Sequence, residues 1–380
     1  MKKQKHKPPR IVIGGYYGFQ SIGDEAVLYS ILSSIKKELP ECRISVITGD
    51  RHSLPRLENT ELKPIPRTNI LSLITSLIYA DMYISGGGSL FQDSTSSRSL
   101  FYYCSLIFLA KLCGCKVVVL ANGIGPLKNK KLCTLALRVS DRISLRDKDS
   151  YETAKRLLKK DKNIQLSADP IFAYPFSGNR PPLLAALSCL SGNPFFAVSV
   201  RKCTDKGQVP YNELKSAINH YRSKGYTPVF VSMQNLHDLQ LCRQMAKETD
   251  GVVADITNCN ELFFLLEKAS FAVGMRLHFL LTCAIAKTPF AALSYDCKVD
   301  GCTRELSAAP CICAFTMTTD SIISTVDSAV ADFSREALHK SCELLSESAI
   351  SDIKDTLLLL PDRDAARNAE SVSEKFFADT

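Results

Sequence analysis

Three charged side chains in the second half of this sequence have the spacing of a binding site: Arg276, His278 and Lys298. The residues before Arg276, 269–273, are typical of a short buried strand, and residues 279–286 predict an apolar helix. Arg276 and His278 therefore lie where a strand ends and a helix begins. In an open α/β sheet ligands bind at that edge, and the free N–H groups of a helix start favour an anion. The pattern predicts a site for a small, multiply charged anionic substrate.

Two further arginines follow predicted strands. Arg146 comes after the strand 142–144, and Arg201 comes after the strand 195–200. A single arginine in such a position is most often a surface charge. Arginines at two strand ends that face one crevice favour anion binding, because the guanidinium group pairs with carboxylate and phosphate oxygens. Both interpretations stay open on these residues alone.

Glycine-rich loops follow three predicted strands of the first half, at 14–25, 85–93 and 121–126. The first loop fails the dinucleotide pattern: its glycines do not fit GxGxxG, and its helix begins with Asp24 and Glu25, where a pyrophosphate would approach. Such loops allow close backbone approach to a neutral, hydroxyl-rich ligand. Either acid then serves as hydrogen-bond acceptor or base, unless both only cap the helix. The residues expected to contact this neutral ligand are Gly18, Gly87, Gly88 and Gln92.

Strand-like and helix-like segments alternate along the chain, which is typical of parallel α/β sheets. A chain of 380 residues is too long for one ordinary core, so two domains are expected. Prolines and glycines crowd the approach to residue 194, where we place the linker. The predicted division is a Rossmann-like domain 1–178, a linker 179–193, a second Rossmann-like domain 194–331 and C-terminal helices 332–380. This is the GT-B layout, in which substrates bind in the cleft between the domains.

The strands of the first domain are expected over 11–14, 43–48, 82–85, 116–121 and 142–144. Those of the second domain are expected over 195–200, 228–232, 251–254, 271–273 and 290–293. A helix that Asp24 and Glu25 open and Pro40 ends is expected between the first two strands.

Composition narrows the class of protein. Hydrophobic residues make up 46% of the chain and charged residues 23%, which is typical of a folded globular protein. The net charge of +8 fits an anionic substrate, an anionic membrane surface or nucleic acid. Dispersed charges and aromatic residues within apolar runs argue against nucleic acid. The fifteen cysteines include no CxxC pair, so reduced structural thiols are expected and no metal site is predicted.

No signal peptide or membrane span is predicted. The start of the chain lacks an apolar segment with a cleavage site, and the longest apolar segments, 70–80 and 100–112, are too short or too interrupted to cross a bilayer. We therefore expect a cytoplasmic protein. Its basic start is either a solvated segment or a contact with anionic lipid at the inner membrane face. The basic residues there are Lys2, Lys3, Lys5, Lys7 and Arg10.

Three motifs together resemble the polysaccharide pyruvyl transferases, most closely the bacterial cell-wall type called CsaB. They are the loops at 15–26 and 85–93 and the segment 274–278, and the resemblance runs from about Ile11 to Asp296. It implies a GT-B-like enzyme, without a cofactor, that moves pyruvate from phosphoenolpyruvate onto a sugar as a cyclic ketal. For this type the acceptor is an N-acetylmannosamine bridged at its 4- and 6-hydroxyls, on a lipid-linked precursor of a secondary cell-wall polymer. Such polymers retain S-layer proteins at the cell surface.

The resemblance also implies roles for the charged residues. His278 and Lys298 match the family's phosphoenolpyruvate-binding histidine and lysine, Arg276 and Arg146 match its motif arginines, and Arg201 matches more loosely. The chemistry agrees, since arginine and lysine suit a carboxylate and a phosphate. Histidine titrates in the range needed to protonate the enol methylene carbon. Two rival functions remain on the sequence alone: a nucleotide-sugar glycosyltransferase and a non-catalytic carbohydrate-binding protein.

Overall fold

The computed structural model describes most of the chain: residues 7–52, 54–55, 57, 61–93, 96–159, 164–176, 190, 192–203, 207–306 and 309–360. Within these residues the strands form two parallel sheets. The first sheet contains β1 (Arg10–Gly14), β2 (Arg43–Thr48), β3 (Leu62–Pro66), β4 (Met82–Gly86), β5 (Lys116–Asn122), β6 (Arg142–Leu145) and β7 (Ile164–Leu166). The second contains β8 (Phe195–Ser199), β9 (Thr227–Val231), β10 (Val252–Ala254), β11 (Ala272–Gly274), β12 (Phe290–Ser294) and β13 (Cys311–Cys313).

The two sheets share one topology. The first has the order β3-β2-β1-β4-β5-β6-β7 and the second the order β10-β9-β8-β11-β12-β13. In both, the strand order reverses at one place, between β1 and β4 and between β8 and β11. Ligands of open α/β sheets bind outside the carboxyl ends of the strands at such a reversal. The two predicted Rossmann-like sheets are therefore confirmed, and each has a crevice that the predicted site residues border.

Every strand predicted from the sequence is present, with its ends shifted by about one residue at most. The central strands β4, β8 and β12 are buried along their whole length, as expected of parallel strands covered on both faces. β3, β7 and β13 were not predicted from the sequence. β3 contains two prolines and lies at a sheet edge, and β7 and β13 are edge strands of three residues each. None of the three therefore has a clear hydrophobic pattern.

Helices cover both faces of the sheets, and their bounds fix the numbering used below. In the first half they are α1 (Ile22–Glu38), α2 (Ile70–Ile78), α3 (Ser97–Leu112), α4 (Lys130–Val139), α5 (Lys148–Leu158) and a 3-10 helix (Pro170–Ala173). In the second half they are α6 (Tyr211–Ser223), α7 (Asn235–Glu248), α8 (Cys259–Lys268), α9 (Leu277–Ala286), α10 (Cys297–Glu305), α11 (Thr319–Ala331) and α12 (Arg335–Leu357). None of the described helices is long and apolar enough to cross a bilayer.

The predicted helix after β1 is confirmed as α1, and its sequence explains its bounds. The Ser21 side chain caps the first turn, where Asp24 and Glu25 complement the helix dipole. Leu28, Ile31 and the other residues of its apolar stripe are fully buried. The helix ends before Pro40, as predicted. Its first turn therefore has a fixed position at the carboxyl edge of the first sheet.

The C-terminal helix returns to the first half of the molecule. α12 packs against α1, β5 and the 3-10 helix. Arg142 Nη2 lies 2.9 Å from the buried carboxylate Oδ1 of Asp352 across this contact. The helical C-terminal segment predicted from 332 is thus present up to Leu357. Residues 361–380 and most of the predicted linker 179–193 lie outside the described residues.

Candidate functional site

The first turns of α1 and α9 face each other across the cleft between the two sheets. Arg276 is the N-cap of α9, as expected from its place at a strand end, and His278 follows in the first turn. The His278 ring lies against the backbone of Gly23 in α1, so that a methyl group on Gly23 would come within 2.1 Å of His278 Nδ1. The Ile22 N–H also donates to the Met233 carbonyl oxygen at 3.0 Å. The glycine of the first loop therefore makes room for the histidine of the other half.

A buried carboxylate connects His278 to Arg146. Asp169 precedes the 3-10 helix, and its Oδ2 accepts a hydrogen bond from Arg146 Nη1 at 2.9 Å. The same oxygen lies 3.5 Å from His278 Nε2. Arg146 Nη2 donates to Ser89 Oγ at 2.7 Å, in the triple-glycine loop. Burial alone raises the pKa of Asp169, but the charges of His278 and Arg146 lower it to about 2. Asp169 is thus ionised at neutral pH.

The His278 Nε2 atom is buried and has no hydrogen bond of good geometry, since Asp169 is at the outer limit of contact. A buried polar atom without a partner is costly in free energy. Such atoms at a cleft are frequently those that meet a ligand. The arrangement orients the imidazole and leaves one of its nitrogens for a further partner.

A second cationic group surrounds Tyr295, at the carboxyl edge of the second sheet. Arg201 Nη1 donates to the Tyr295 hydroxyl at 2.8 Å, and its guanidinium carbon is 4.8 Å from the ring centre. Lys298 Nζ is 5.7 Å from the same ring. Burial alone raises the pKa of Tyr295, but the charges of Lys298, Arg201 and Arg276 lower it below its ordinary value. Three cations that follow adjacent strands therefore converge on one side chain.

Arg276 differs from the other two cations because it has a carboxylate partner. Its Nε donates to Asp238 Oδ2 at 2.8 Å and its Nη2 donates to Asp238 Oδ1 at 2.5 Å. Asp238 is fully buried in α7. This two-pronged pairing fixes the guanidinium plane. The structure thus brings Arg201, Arg276 and Lys298 together, and it holds Arg276 in place through Asp238.

A small cavity joins the two groups. Arg146 and Asp169 of the first half and Lys298 of the second are among the residues that line it. Arg146 therefore faces the space between the domains, although its direct bonds are to Asp169 and Ser89. The five predicted residues His278, Arg276, Lys298, Arg146 and Arg201 belong to one region of the cleft.

The two acids of the first loop lie beside this region. Glu25 Oε1 accepts a hydrogen bond from the Gly18 N–H at 2.7 Å, while Glu25 Oε2 is buried without a hydrogen bond. Burial raises the pKa of Glu25 to about 7, and the neighbouring charge of Asp24 adds to the increase. Asp24 bonds to the capping Ser21 hydroxyl. Asp24 therefore holds the side chain of the N-cap Ser21, and Glu25 has the titration range of a general base.

The residues predicted to contact the neutral ligand are close to these acids. Gly88 has a left-handed φ of +80°, and a methyl group there would lie 3.4 Å from Asp24 Oδ1. Gly18 has φ +79° and passes close to the backbone of Asp50. Gly87 precedes Gly88 in the same turn, and Gln92 is half-buried farther along the loop. The structure therefore places Gly18, Gly87 and Gly88 around the start of α1.

Four residues of this region were not identified from the sequence: Asp169, Tyr295, Asp238 and Ser89. Asp169 precedes Pro170, and an Asp-Pro pair marks a turn or a helix start rather than a site. Tyr295 stands three residues before Lys298, but a tyrosine at a strand end gives no specific indication. Asp238 is far in sequence from its partner Arg276. Among the described residues no cluster of His, Cys, Asp and Glu side chains has the arrangement of a metal site.

Solved structures with the same architecture define the class of the fold. A putative UDP-N-acetylglucosamine 2-epimerase from Listeria monocytogenes superimposes with a TM-score of 0.59 at 10% identity, over 98% of this chain and 97% of that one. The S. aureus MnaA–UDP structure gives 0.61 at 12% identity, over 92% and 97%. Os79 from O. sativa, in complex with UDP and deoxynivalenol-3-glucoside, gives 0.57 at 8% identity, over 93% and 100%. At these identities the likeness shows the fold, which is GT-B-like.

The family follows from the sequence itself. The sequence model of the polysaccharide pyruvyl transferases matches residues 22–296, which include α1, the triple-glycine loop and the segment from Arg276 to Tyr295. The chain belongs to the polysaccharide pyruvyl transferase family, and the predicted family is confirmed at that level. A search of curated proteins finds no match.

Proposed function

We propose that this protein transfers the pyruvyl group of phosphoenolpyruvate to a sugar as a 4,6-ketal. The observation that carries the proposal is the convergence of Arg201, Arg276 and Lys298 on Tyr295 in a member of this family. Phosphoenolpyruvate carries a carboxylate and a phosphate, and several fixed cations are needed to bind both. The acceptor we propose is N-acetylmannosamine on a lipid-linked precursor of a secondary cell-wall polymer, as the resemblance to the CsaB type implies.

Arg201 and Lys298 are the cations that we assign to the anionic groups. Their contacts with Tyr295 are to a ring and a hydroxyl, so each keeps its positive charge available for a ligand. Arg276 already pairs with Asp238, and its role is to complete the positive field and fix the edge of the pocket. Arg146 and Lys298 line one cavity from opposite domains.

The reaction needs one proton delivered to carbon and two new carbon–oxygen bonds. The methylene carbon of the enol gains a proton and becomes a methyl group. The adjacent carbon loses the π bond to the methylene carbon and its bond to the phosphate oxygen, and it gains bonds to the sugar 4- and 6-oxygens. The two hydroxyl protons of the sugar balance the proton used and the proton that leaves with phosphate or solvent.

His278 is the residue that we assign to the carbon protonation. Its Nε2 is buried without a good hydrogen bond, and the ionised carboxylate of Asp169 lies 3.5 Å from it and orients the ring. Glu25 is the base that we assign to a sugar hydroxyl, because its pKa of about 7 suits proton transfer near neutral pH. The glycines around it give a hydroxyl-rich ligand room to approach.

A phosphate-release assay tests the proposal directly. The purified protein is incubated with phosphoenolpyruvate and synthetic lipid-linked disaccharides that differ in the terminal sugar. We expect phosphate release that depends on the acceptor, fastest with N-acetylmannosamine, and a ketal in the product by mass spectrometry. His278→Ala is expected to lower the rate by about 10²–10⁴-fold. His339→Ala is the matched control, since His339 is exposed on α12.

Two outcomes would contradict the proposal. One is a His278→Ala variant that works at the wild-type rate, which would remove the histidine from the mechanism. The other is no reaction with phosphoenolpyruvate together with transfer from a UDP-sugar. That result would make the protein a glycosyltransferase, a rival that its fold also accommodates.

A further inference from the structure

One face of the first domain exposes apolar side chains in helical rows. The face consists of the outer surfaces of α2, α3 and α4, which lie side by side because α3 packs against both neighbours. Leu71 is 79% exposed and Ile78 lies two turns farther along α2. Phe101 is 64% exposed and Leu112 is 84% exposed on α3. With Tyr79, the C-cap of α2, this α2–α4 face has seven of the thirteen exposed large apolar side chains in the described chain, and such a concentration marks an interaction surface.

The same face is almost free of acids. Between Leu62 and Ser140 the sequence contains two acidic residues, Asp81 and Asp93. Asp81 accepts the Arg10 N–H at 2.7 Å, and Asp93 is buried, where it accepts the N–H groups of the loop before α4. Neither contributes a free negative charge to the α2–α4 face. Asp141, which follows α4, is paired with Lys111 of α3 at 2.8 Å. The other exposed charges of the face are cations, including Arg98, Lys130 and Lys131.

The position of these cations is unusual for helices. Arg98 is in the first turn of α3, and Lys130 and Lys131 open α4, where the helix dipole disfavours positive charge. No acid stands in the first turn of α2, α3 or α4. Among the other described α-helices, only α9 at the candidate site shares this absence. Cations retained at an electrostatic cost indicate an anionic partner.

Arg98, Lys130 and Lys131 lie at the end of the face that is nearest the cleft, and Lys111 and Arg138 lie in the last turns of α3 and α4 at the other end. In a parallel sheet each crossover helix begins at the carboxyl edge of the strand before it. The first turns of α3 and α4 therefore border the same edge as the Gly87 and Gly88 turn. Exposed apolar rows flanked by cations are typical of proteins that lie on an anionic bilayer.

We propose that the α2–α4 face is a membrane-docking surface that binds anionic phospholipid bilayers. Its apolar side chains enter the region between headgroups and acyl chains, and Arg98, Lys130 and Lys131 contact the headgroup phosphates. The inference rests on exposure and charge and does not depend on the reaction proposed above. It also gives the sugar of a lipid-linked molecule a short path from the bilayer to the glycine loops.

Vesicle co-sedimentation of the full chain tests this surface without any substrate. We expect binding to vesicles of phosphatidylcholine mixed with phosphatidylglycerol, and little binding to phosphatidylcholine alone or at high salt. The double variant Lys130→Gln/Lys131→Gln is expected to bind more weakly by about fivefold for each cation. Leu71→Ser/Phe101→Ser is expected to lose roughly tenfold or more for each side chain.

The matched control is Leu344→Ser, which removes a leucine of similar exposure from α12. It is expected to bind vesicles as the wild type does, and circular dichroism is expected to show all variants folded. Equal loss of binding in Leu344→Ser, or no binding of the wild type to anionic vesicles, overturns the proposal. The proposal is also overturned if sedimentation velocity shows a wild-type dimer and the Leu71→Ser/Phe101→Ser substitutions dissociate it, because the face would then pair two copies of the chain.

Discussion

The carboxyl edges of the two sheets have the same topology and opposite chemistry. The edge of the first sheet presents glycine turns and the acids Asp24 and Glu25, and its buried arginine, Arg146, is neutralised by Asp169. The edge of the second presents Arg201, Arg276 and Lys298 around Tyr295, and among these the buried Asp238 pairs with Arg276. One edge therefore suits a neutral polyhydroxyl ligand and the other a small anion.

The contrast also separates cations that hold structure from cations that meet a ligand. Arg146 and Arg276 have carboxylate partners that fix their positions, and removing either partner would leave a buried charge uncompensated. Arg201 and Lys298 have an aromatic neighbour that orients them without cancelling their charge. Substitutions that change one edge and leave the other intact test this division between structural and ligand-binding cations.

The largest effect is expected at the contact between the two edges. Asp169→Ala removes the carboxylate that faces both Arg146 and His278, so the free energy of unfolding is expected to fall by about 3–5 kcal/mol. Glu152→Ala, which removes a surface partner of Lys155 within α5, is the control and is expected to cost less than about 1 kcal/mol. Urea denaturation measures both. A loss for Asp169→Ala as small as that of the control would show that this buried pair has no structural role.

An intermediate effect is expected from moving the histidine without changing it. Gly23→Ala places a methyl group against His278 Nδ1, so the imidazole has to shift. A displacement of about 1 Å is expected to lower the pyruvyl-transfer rate by roughly 10²-fold. Gly301→Ala in α10, where a methyl group meets nothing closer than 3.4 Å, is expected to leave the rate unchanged. If the two variants were equally active, the proximity of Gly23 and His278 would have no bearing on catalysis.

A smaller effect is expected from the titration of Glu25. Its pKa of about 7 in the folded protein exceeds the ordinary value of 4.5, so the folded state binds the proton more tightly. The stability that this proton contributes is present at low pH and is lost as pH rises through 7. Between pH 5 and pH 8 the free energy of unfolding of the wild type is expected to fall by about 2 kcal/mol more than that of Glu25→Gln. Parallel pH profiles for the two proteins would show that Glu25 titrates normally.

The sequence predicted the framework of the site well, because strand ends and glycine turns have local patterns. Arg276 and His278 were placed correctly at a strand-to-helix junction, since an apolar strand and an apolar helix flank them. The partner of His278 was missed, because Asp169 comes from the other domain and its proximity depends on how the domains pack. Tyr295 was missed for a similar reason: three strand ends bring the cations around it.

Some local structure could also not be predicted from the sequence. β3 is an edge strand with prolines, and β13 is three residues long, so neither has the periodicity that marks a strand. The return of α12 to the first sheet pairs Arg142 with the buried Asp352, and these residues are distant in the chain. Long-range packing of this kind has no local pattern.

Binding of phosphoenolpyruvate to variants of each edge tests the central claim most directly. Isothermal titration calorimetry compares the wild type with Lys298→Met, Arg201→Met and Glu25→Gln, and Lys247→Met on the surface of α7 serves as the control. We expect each of the first two substitutions to raise the Kd by roughly tenfold or more, because a charged contact with the ligand is lost. Glu25→Gln and Lys247→Met are expected to bind as the wild type does. Unchanged affinity in Lys298→Met and Arg201→Met, with a loss in Glu25→Gln, would contradict the assignment of the anion to the second sheet.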